Sequence, residues 1–393
     1  MSDRQTPRFE FIECVRGYAG LLVIICHTTY LFPELPYPLH RVTVLGWHGV
    51  QLFFLASAVT LMMSWRSEQS SNGSVDVAAF FMRRLFRIAP AYYCAVVLYL
   101  FVEPPAGGWD SLQAAATCLF INAWHPVLMG VTENGWPVVP GSWSISVEFT
   151  FYAAFPLLAR TITSLPRAVG LVVGTLLTGA TVDTLVWPWL QAAYGFIAAD
   201  NFLYFWFFNQ MSVFALGLCL FYLLENSGYG AGSRRSHLLA HPNMTVMIAV
   251  ALAVSTAFVV VPHWLMLQVP VPPRFILVSV AFMIFIIALA RSRPGWFVNA
   301  PAAFLGRVSF SAYLLHPALL TVIARQAFLQ EFLHTTGWTG ILAFGAALTG
   351  IVLVILGSAW CTYRVIELPM INLGKALIRR RRTASLQRVS LSA

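Results

Sequence analysis

The chain has 393 residues, 59% of them hydrophobic and only 10% charged, with a mean hydropathy of +0.73; that composition excludes an ordinary soluble domain and points to a protein that crosses the bilayer many times. A formal net charge of +9 would suggest nucleic acid as the partner of a soluble protein. Here the basic residues are distributed by topology, and no nucleic-acid partner is implied.

Arg4 and Arg8 precede the first apolar run in the manner of a signal peptide, but Glu10, Glu13, Arg16 and His27 interrupt it and no small-x-small cleavage site follows. It reads as an uncleaved first span. Arg16 and His27 lie eleven residues apart in a segment, 14–32, that is otherwise almost wholly apolar. Burying either group in hydrocarbon is expensive, which marks both as functional candidates. Eleven residues turn a helix by about 1100°, so the two side chains share a face to within about 20°, separated by roughly 16 Å along the axis. They serve two ends of one site.

Apolar runs follow near 45–65, 86–102, 143–159, 165–188, 202–224, 244–262, 275–291, 303–323 and 338–360, which with the first, near 12–32, makes ten crossings. The fold class is therefore all-α, a polytopic transmembrane helix bundle. Arg66, Arg83, Arg84, Arg87, Arg160, Arg167, Arg234, Arg235, Arg291, Arg293 and Arg307 fill or border the even gaps, and only Arg41, Arg274 and Arg325 fall in the odd ones. The positive-inside rule then puts both termini in the cytoplasm. The segment 111–124 is apolar but about fourteen residues long, which suits an interfacial or re-entrant helix better than a crossing. The six cysteines are scattered, without CxxC spacing, and read as packing residues.

Depth follows from this topology. His27 lies late in an outward-running span and Glu148 early in an inward-running one, so both sit near the outer boundary and the two are expected to meet. Ser309, Tyr313 and His316 form a polar stripe at spacings of four and three on the ninth span, and Pro317 frees a backbone carbonyl there. No Walker pattern and no zinc-type histidine pair is present, so neither ATP-driven work nor a metal site is expected.

Six blocks in order resemble one family. Arg16 and His27 in RGYAGLLVIICH, GVQLFFLASAVTLM from Gly49, RRLFRIAPAYY from Arg83, GSWSISVEFTFYAAFP from Gly141, SFSAYLLHPALL from Ser309 and YRVIELPMI from Tyr363 are similar to the motifs of the acyltransferase 3 family of integral membrane acyl-CoA-dependent O-acyltransferases. Two positions depart from the pattern: Gln51 stands where many relatives have Asp, and Ala58 where Gly is usual.

The resemblance implies transfer of an acyl group, by expectation acetyl, from acyl-CoA as co-substrate to a hydroxyl of a carbohydrate-type acceptor, a cell-surface or exported glycan or glycolipid. No permanently bound cofactor is expected. An alcohol attacking a thioester needs a base, for which His27 is suited by its near-neutral titration, with Glu148 as the acid that orients it. Arg16, Arg83, Arg84 and Arg87 are the candidates for binding the donor's phosphates. Ser57, Trp143, Tyr313 and His316 are candidate lining residues. Residues 1–375 would form the membrane acyltransferase domain and 376–393 a basic cytoplasmic tail, in a multi-pass protein of a bacterial inner membrane. The alternative from another class is a proton-coupled secondary transporter using the same buried histidines and glutamate.

Overall fold

Each long apolar run forms a helix, and a polar residue ahead of it often completes the hydrogen bonding of the first turn. Asp76 accepts from the Ala79 amide at 3.0 Å and Asn299 from the Ala302 amide at 2.9 Å, each satisfying a donor that the helix itself leaves open. The computed structural model describes residues 10–104, 110–132, 135, 137–226, 250, 274–292 and 295–392. Among these the helices run, in order, α1 (Glu10–Thr29), α2 (Tyr37–Val44), α3 (Gly49–Asn72), α4 (Val77–Val102), α5 (Ser111–Cys118), α6 (Pro126–Met129), α7 (Ser142–Thr161), α8 (Leu165–Tyr194), α9 (Phe196–Phe205), α10 (Phe207–Asn226), α11 (Arg274–Ser292), α12 (Ala300–Ala324), α13 (Gln330–Leu333), α14 (Gly337–Thr362) and α15 (Leu368–Ser392), with no strand among the described residues.

Eight helical segments are long and apolar enough to cross a membrane, and they coincide with eight of the ten expected spans. Of the other two, the span near 143–159 is the helix α7, whose Ser142, Ser144, Ser146 and Glu148 dilute its apolar character. The span near 244–262 lies, apart from residue 250, outside the described residues. Among the described residues between α4 and α7 the helices are short, the eight-residue α5 and four-residue α6 being the longest, so 111–124 forms no helix long enough to cross.

The bundle is organised on the contact between α1 and α12, the most extensive of any helix pair. A Cβ on Gly306 would lie 1.8 Å from the Glu13 carbonyl oxygen, and one on Gly17 would lie 2.5 Å from that of Ala302. Backbone touches backbone here, as small residues permit in a medium where close packing replaces the hydrophobic effect. Further along, Gly20 faces Ser309 and His27 meets His316, so the two helices run parallel, as the first and ninth of ten spans should. α4 follows the same direction: Tyr99 reaches Leu314, and Thr321 donates to Glu103 at 2.7 Å. α3 runs against α1, with Gly46 against Leu22 and Cys26 and Gly49 against Ala19.

Gly306→Ala is accordingly expected to cost about 1–3 kcal/mol through overpacking, read as a lowered melting temperature of the detergent-solubilised protein. Gly345→Ala, where a Cβ meets nothing within 4 Å, serves as the control. Equal melting of both variants would contradict the backbone contact.

Both departures from the family pattern are accommodated. A Cβ on Gly217 of α10 would stand 2.6 Å from that of Ala58, so a glycine across the interface supplies the room that Ala58 takes. Gln51 is fully buried and donates to Tyr204 and to Gln210, each at 3.1 Å. A neutral amide pair thus stands where an acid would need a counter-charge. The boundary expected at 375 falls inside α15. That helix packs on α4, with Gly374 against Phe86, and its Arg382 reaches Glu68 at the end of α3 at 2.7 Å.

Candidate active site

Two polar groupings lie along the α1–α12 seam. The first is a cavity lined by Arg16, Arg84, Arg87, Ser57, Glu148, Tyr152 and Tyr313, among others. Arg16 is buried and pairs with Glu13, one helical turn earlier, at 3.2 Å. Arg84 lies over the rings of Phe80 and Tyr152, at 5.6 and 5.8 Å, a stacking suited to its planar, weakly hydrated guanidinium. Its buried Nε has no hydrogen-bond partner among the described residues. Arg87 sits within electrostatic reach of Glu13, Glu148 and Glu367. Three guanidinium groups around one space, with a donor left open, make a wall fitted to an anion.

Glu148 is held by its own helix and by α3. Ser57 donates to its Oε1 at 2.7 Å, and Tyr152, one turn along α7, donates a short hydrogen bond to the same oxygen. The carboxylate is therefore fixed in the cavity wall among the arginines.

The second grouping lies one turn further along α12. Pro317 has no N–H to give the carbonyl of Tyr313, four residues back, and the Nδ1 of His316 takes that oxygen at 2.7 Å. Tyr99 closes the rest of the break: its hydroxyl donates to Leu314 O at 2.9 Å and accepts from the Ala318 amide at 3.0 Å. The break in the helix's hydrogen bonding at Pro317 is thus stitched by two side chains, as buried backbone groups require. His316 Nε2 lies 3.1 Å from His27 Nδ1, and that same Nδ1 is 3.0 Å from Val23 O. The rings stand 5.0 Å apart at 41°. Trp47 flanks His27 at 6.5 Å and stacks on Phe205.

His27 and Glu148, expected within direct or one-water hydrogen-bonding reach, share no direct hydrogen bond. Both groups have other partners, and Glu148 shares its cavity with Ser309 and Tyr313, up to two turns of α12 short of His316, or roughly 10 Å along the axis. The cause is where α7 begins. Gly141 caps it with φ of +78°, and the Tyr313 hydroxyl donates to the Gly141 carbonyl at 3.0 Å. A Cβ on Gly141 would lie 2.6 Å from that hydroxyl, so only glycine satisfies both the turn and the contact. α7 therefore starts inside the bundle, beside Tyr313, and Glu148 sits a turn and more deeper still.

Among the expected donor residues, Arg83 is not in the cavity wall. It pairs with Glu68 at 2.7 Å, on the carboxylate that also holds Arg382. Trp143 is likewise elsewhere, packed on Phe205 at 4.5 Å and Phe54 at 6.2 Å. Tyr313 lines the cavity on the histidine side, its hydroxyl shared between Gly141 O and Ser144 Oγ, the latter at 2.9 Å. Sequence reading passed over Tyr152 and Glu13, although each has the i, i+4 or i, i+3 spacing to a residue already singled out. Tyr99 carries no such signal. Among the described residues no three of His, Cys, Asp and Glu gather as metal ligands would.

Comparison with known proteins gives a consistent pattern. The acyltransferase domain family matches residues 9–361. Acyltransferase MdmB of Streptomyces mycarofaciens is 30% identical over 171 residues, which are 40% of this chain and 41% of that protein. A putative membrane-bound transacylase, BcsY of Komagataeibacter xylinus, is 24% identical over 347 residues, 84% of this chain and 78% of the other. O-acetyltransferase OatA of Staphylococcus aureus is 29% identical over 119 residues, 28% of this chain and 20% of OatA. The matched stretches thus span under half the length of the Streptomyces and Staphylococcus relatives. No solved structure matches the chain significantly.

Proposed function

The chain belongs to the acyltransferase 3 family, and from that premise we propose that it transfers an acyl group, acetyl in the first instance, from acyl-CoA to a hydroxyl of a carbohydrate-type acceptor. The observation that carries this reading is the arginine-lined cavity, which ends one helical turn short of a paired histidine. The donor's phosphates would lie against Arg16, Arg84 and Arg87, and its flexible arm would cover the roughly 16 Å from Arg16 to His27. With both termini in the cytoplasm, as the basic residues imply, the arginines face the cytoplasmic supply of acyl-CoA.

In the reaction His27 takes the proton of the acceptor hydroxyl as its oxygen attacks the thioester carbonyl. The tetrahedral intermediate expels the CoA thiolate, and the His27 imidazolium returns the proton to that sulfur. Glu148 acts on the donor side in this reading, as the carboxylate that organises Arg84 through Tyr152. The relatives' names supply the reaction class, and that of OatA the acetyl group.

The test is turnover of labelled acetyl-CoA by the purified protein in liposomes, together with a mass comparison of glycans from cells with and without it. Proton-coupled flux with no acyl-CoA turnover would favour the transporter instead. Within the donor site, Arg84→Ala is expected to raise the KM for acyl-CoA about tenfold or more, the scale of one lost charge-assisted contact. Arg84→Lys should restore little, because an ammonium lacks the planar fork that stacks on Phe80 and Tyr152. Arg83→Ala should leave the donor KM near the parent's, its guanidinium being committed to Glu68. Saturation kinetics on the three variants decide, and equal effects of Arg83→Ala and Arg84→Ala would count against the cavity as the donor site.

A further inference from the structure

The hydrogen bonds around the two histidines determine which ring nitrogens carry hydrogen. A carbonyl oxygen only accepts. His316 Nδ1 faces the Tyr313 carbonyl at 2.7 Å, so this nitrogen is an N–H and, in the neutral ring, Nε2 keeps its lone pair. That lone pair faces His27 Nδ1 at 3.1 Å, and His27 Nδ1 also faces the Val23 carbonyl at 3.0 Å. Both neighbours accept, so His27 Nδ1 is the donor and shares its hydrogen between them. The remaining nitrogen, His27 Nε2, holds a lone pair and has no hydrogen-bond partner among the described residues.

We propose that His316 is a positioning residue for His27: it fixes the tautomer that leaves Nε2 as the base, and it accepts the hydrogen bond through which the imidazolium is held once Nε2 has taken a proton. The proposal rests on the reading of His27 as the base. It gives the orienting part, often played by a carboxylate, to a neutral ring. His316 is suited to the part because it is fixed on every side. It is 2% exposed, its Nδ1 is tied to an oxygen that Pro317 leaves open, and the break behind it is closed by Tyr99. The position of Pro317 thereby acquires a chemical meaning. With an ordinary residue there, the Tyr313 carbonyl would have a backbone partner of its own, and the His316 ring would lose its claim on that oxygen.

A neutral partner also suits this depth. A carboxylate beside His27 would have to be buried as an ion when the histidine is neutral, which is costly in the apolar half of a bundle. A second imidazole carries no charge until one is needed.

The test is steady-state kinetics and acyl-CoA binding on His27→Ala, His316→Ala and His316→Gln in liposomes. The glutamine amide oxygen can stand near the position of Nε2 and accept from His27 Nδ1, but it cannot titrate. His316→Ala is expected to lower kcat by about 100-fold, the scale of general-base catalysis, with the KM and binding affinity for acyl-CoA within about twofold of the parent, since the loss falls on the chemical step alone. His316→Gln is expected to recover kcat to within about tenfold of the parent. A His316→Ala protein that turns over within about twofold of the parent overturns the proposal. So does a His316→Gln protein that binds acyl-CoA normally yet is as slow as His316→Ala, because a merely structural or proton-carrying role gives that result. An active His27→Ala protein overturns the base assignment and this proposal with it, whereas an inactive His27→Ala beside an indifferent His316→Ala removes only the second.

Discussion

His27→Ala is expected to slow acyl transfer by on the order of 100-fold or more, the usual scale for loss of a general base, while the protein still inserts and folds. The α1–α12 seam is held by backbone contacts at Gly17 and Gly306, two turns and more from His27, and these do not depend on the imidazole. The substitution leaves His316 Nε2 buried without its donor, which costs about 1–3 kcal/mol and should be visible as a modest fall in melting temperature. Turnover of labelled acetyl-CoA measured beside a thermal melt separates the two effects. A well-folded His27→Ala protein with near-parental turnover would remove the base from the mechanism.

Glu148→Ala is expected to be nearly as damaging, for a different reason. It removes the one carboxylate lining a cavity that three arginines also line, and it strips Ser57 and Tyr152 of their acceptor. Leaving two hydroxyls without their acceptor costs about 1–3 kcal/mol. Because Glu148 lines the proposed donor cavity and has no direct hydrogen bond to His27, the kinetic loss should appear in the KM for acyl-CoA as well as in kcat. Glu148→Gln, which keeps an acceptor for both hydroxyls, should fold like the parent and separate charge from shape. Loss confined to kcat, with donor KM unchanged, would return Glu148 to the acceptor side and to a role beside His27.

How far the sequence could be read varies from residue to residue, with physical reasons in each case. Arg16 and His27 stood out because an arginine and a histidine on one face of an apolar helix have few structural explanations, and the structure places Arg16 in the cavity wall and His27 against His316. The parallel course of α1 and α12 followed from counting spans and basic gaps. The depth of Glu148 was not legible, because depth was reckoned from helix ends placed at the membrane surface, and α7 starts inside the bundle at a glycine pinned by Tyr313. Arg83, Arg84 and Arg87 could not be sorted by spacing: Arg87 lies between the other two in helical angle, and only the position of Glu68, at the far end of another helix, decides that Arg83 is the one drawn away. The carbonyl freed by Pro317 was visible in the sequence, whereas the two side chains that close the break around it were not. One of them, Tyr99, comes from more than two hundred residues earlier in the chain.

The hydroxyl of Tyr313, committed to Gly141 and Ser144, has a consequence for the membrane as a whole. If the two substrates of the proposed reaction arrive from opposite sides, an open polar channel between them would let protons run down the gradient that the bilayer exists to maintain. Tyr313 lines the arginine cavity one helical turn short of His316, with the ring of Phe53 packed against it at 6.2 Å. In that reading Tyr313 and Phe53 border the path that the donor's arm takes to His27, which is also the path by which ions would leak.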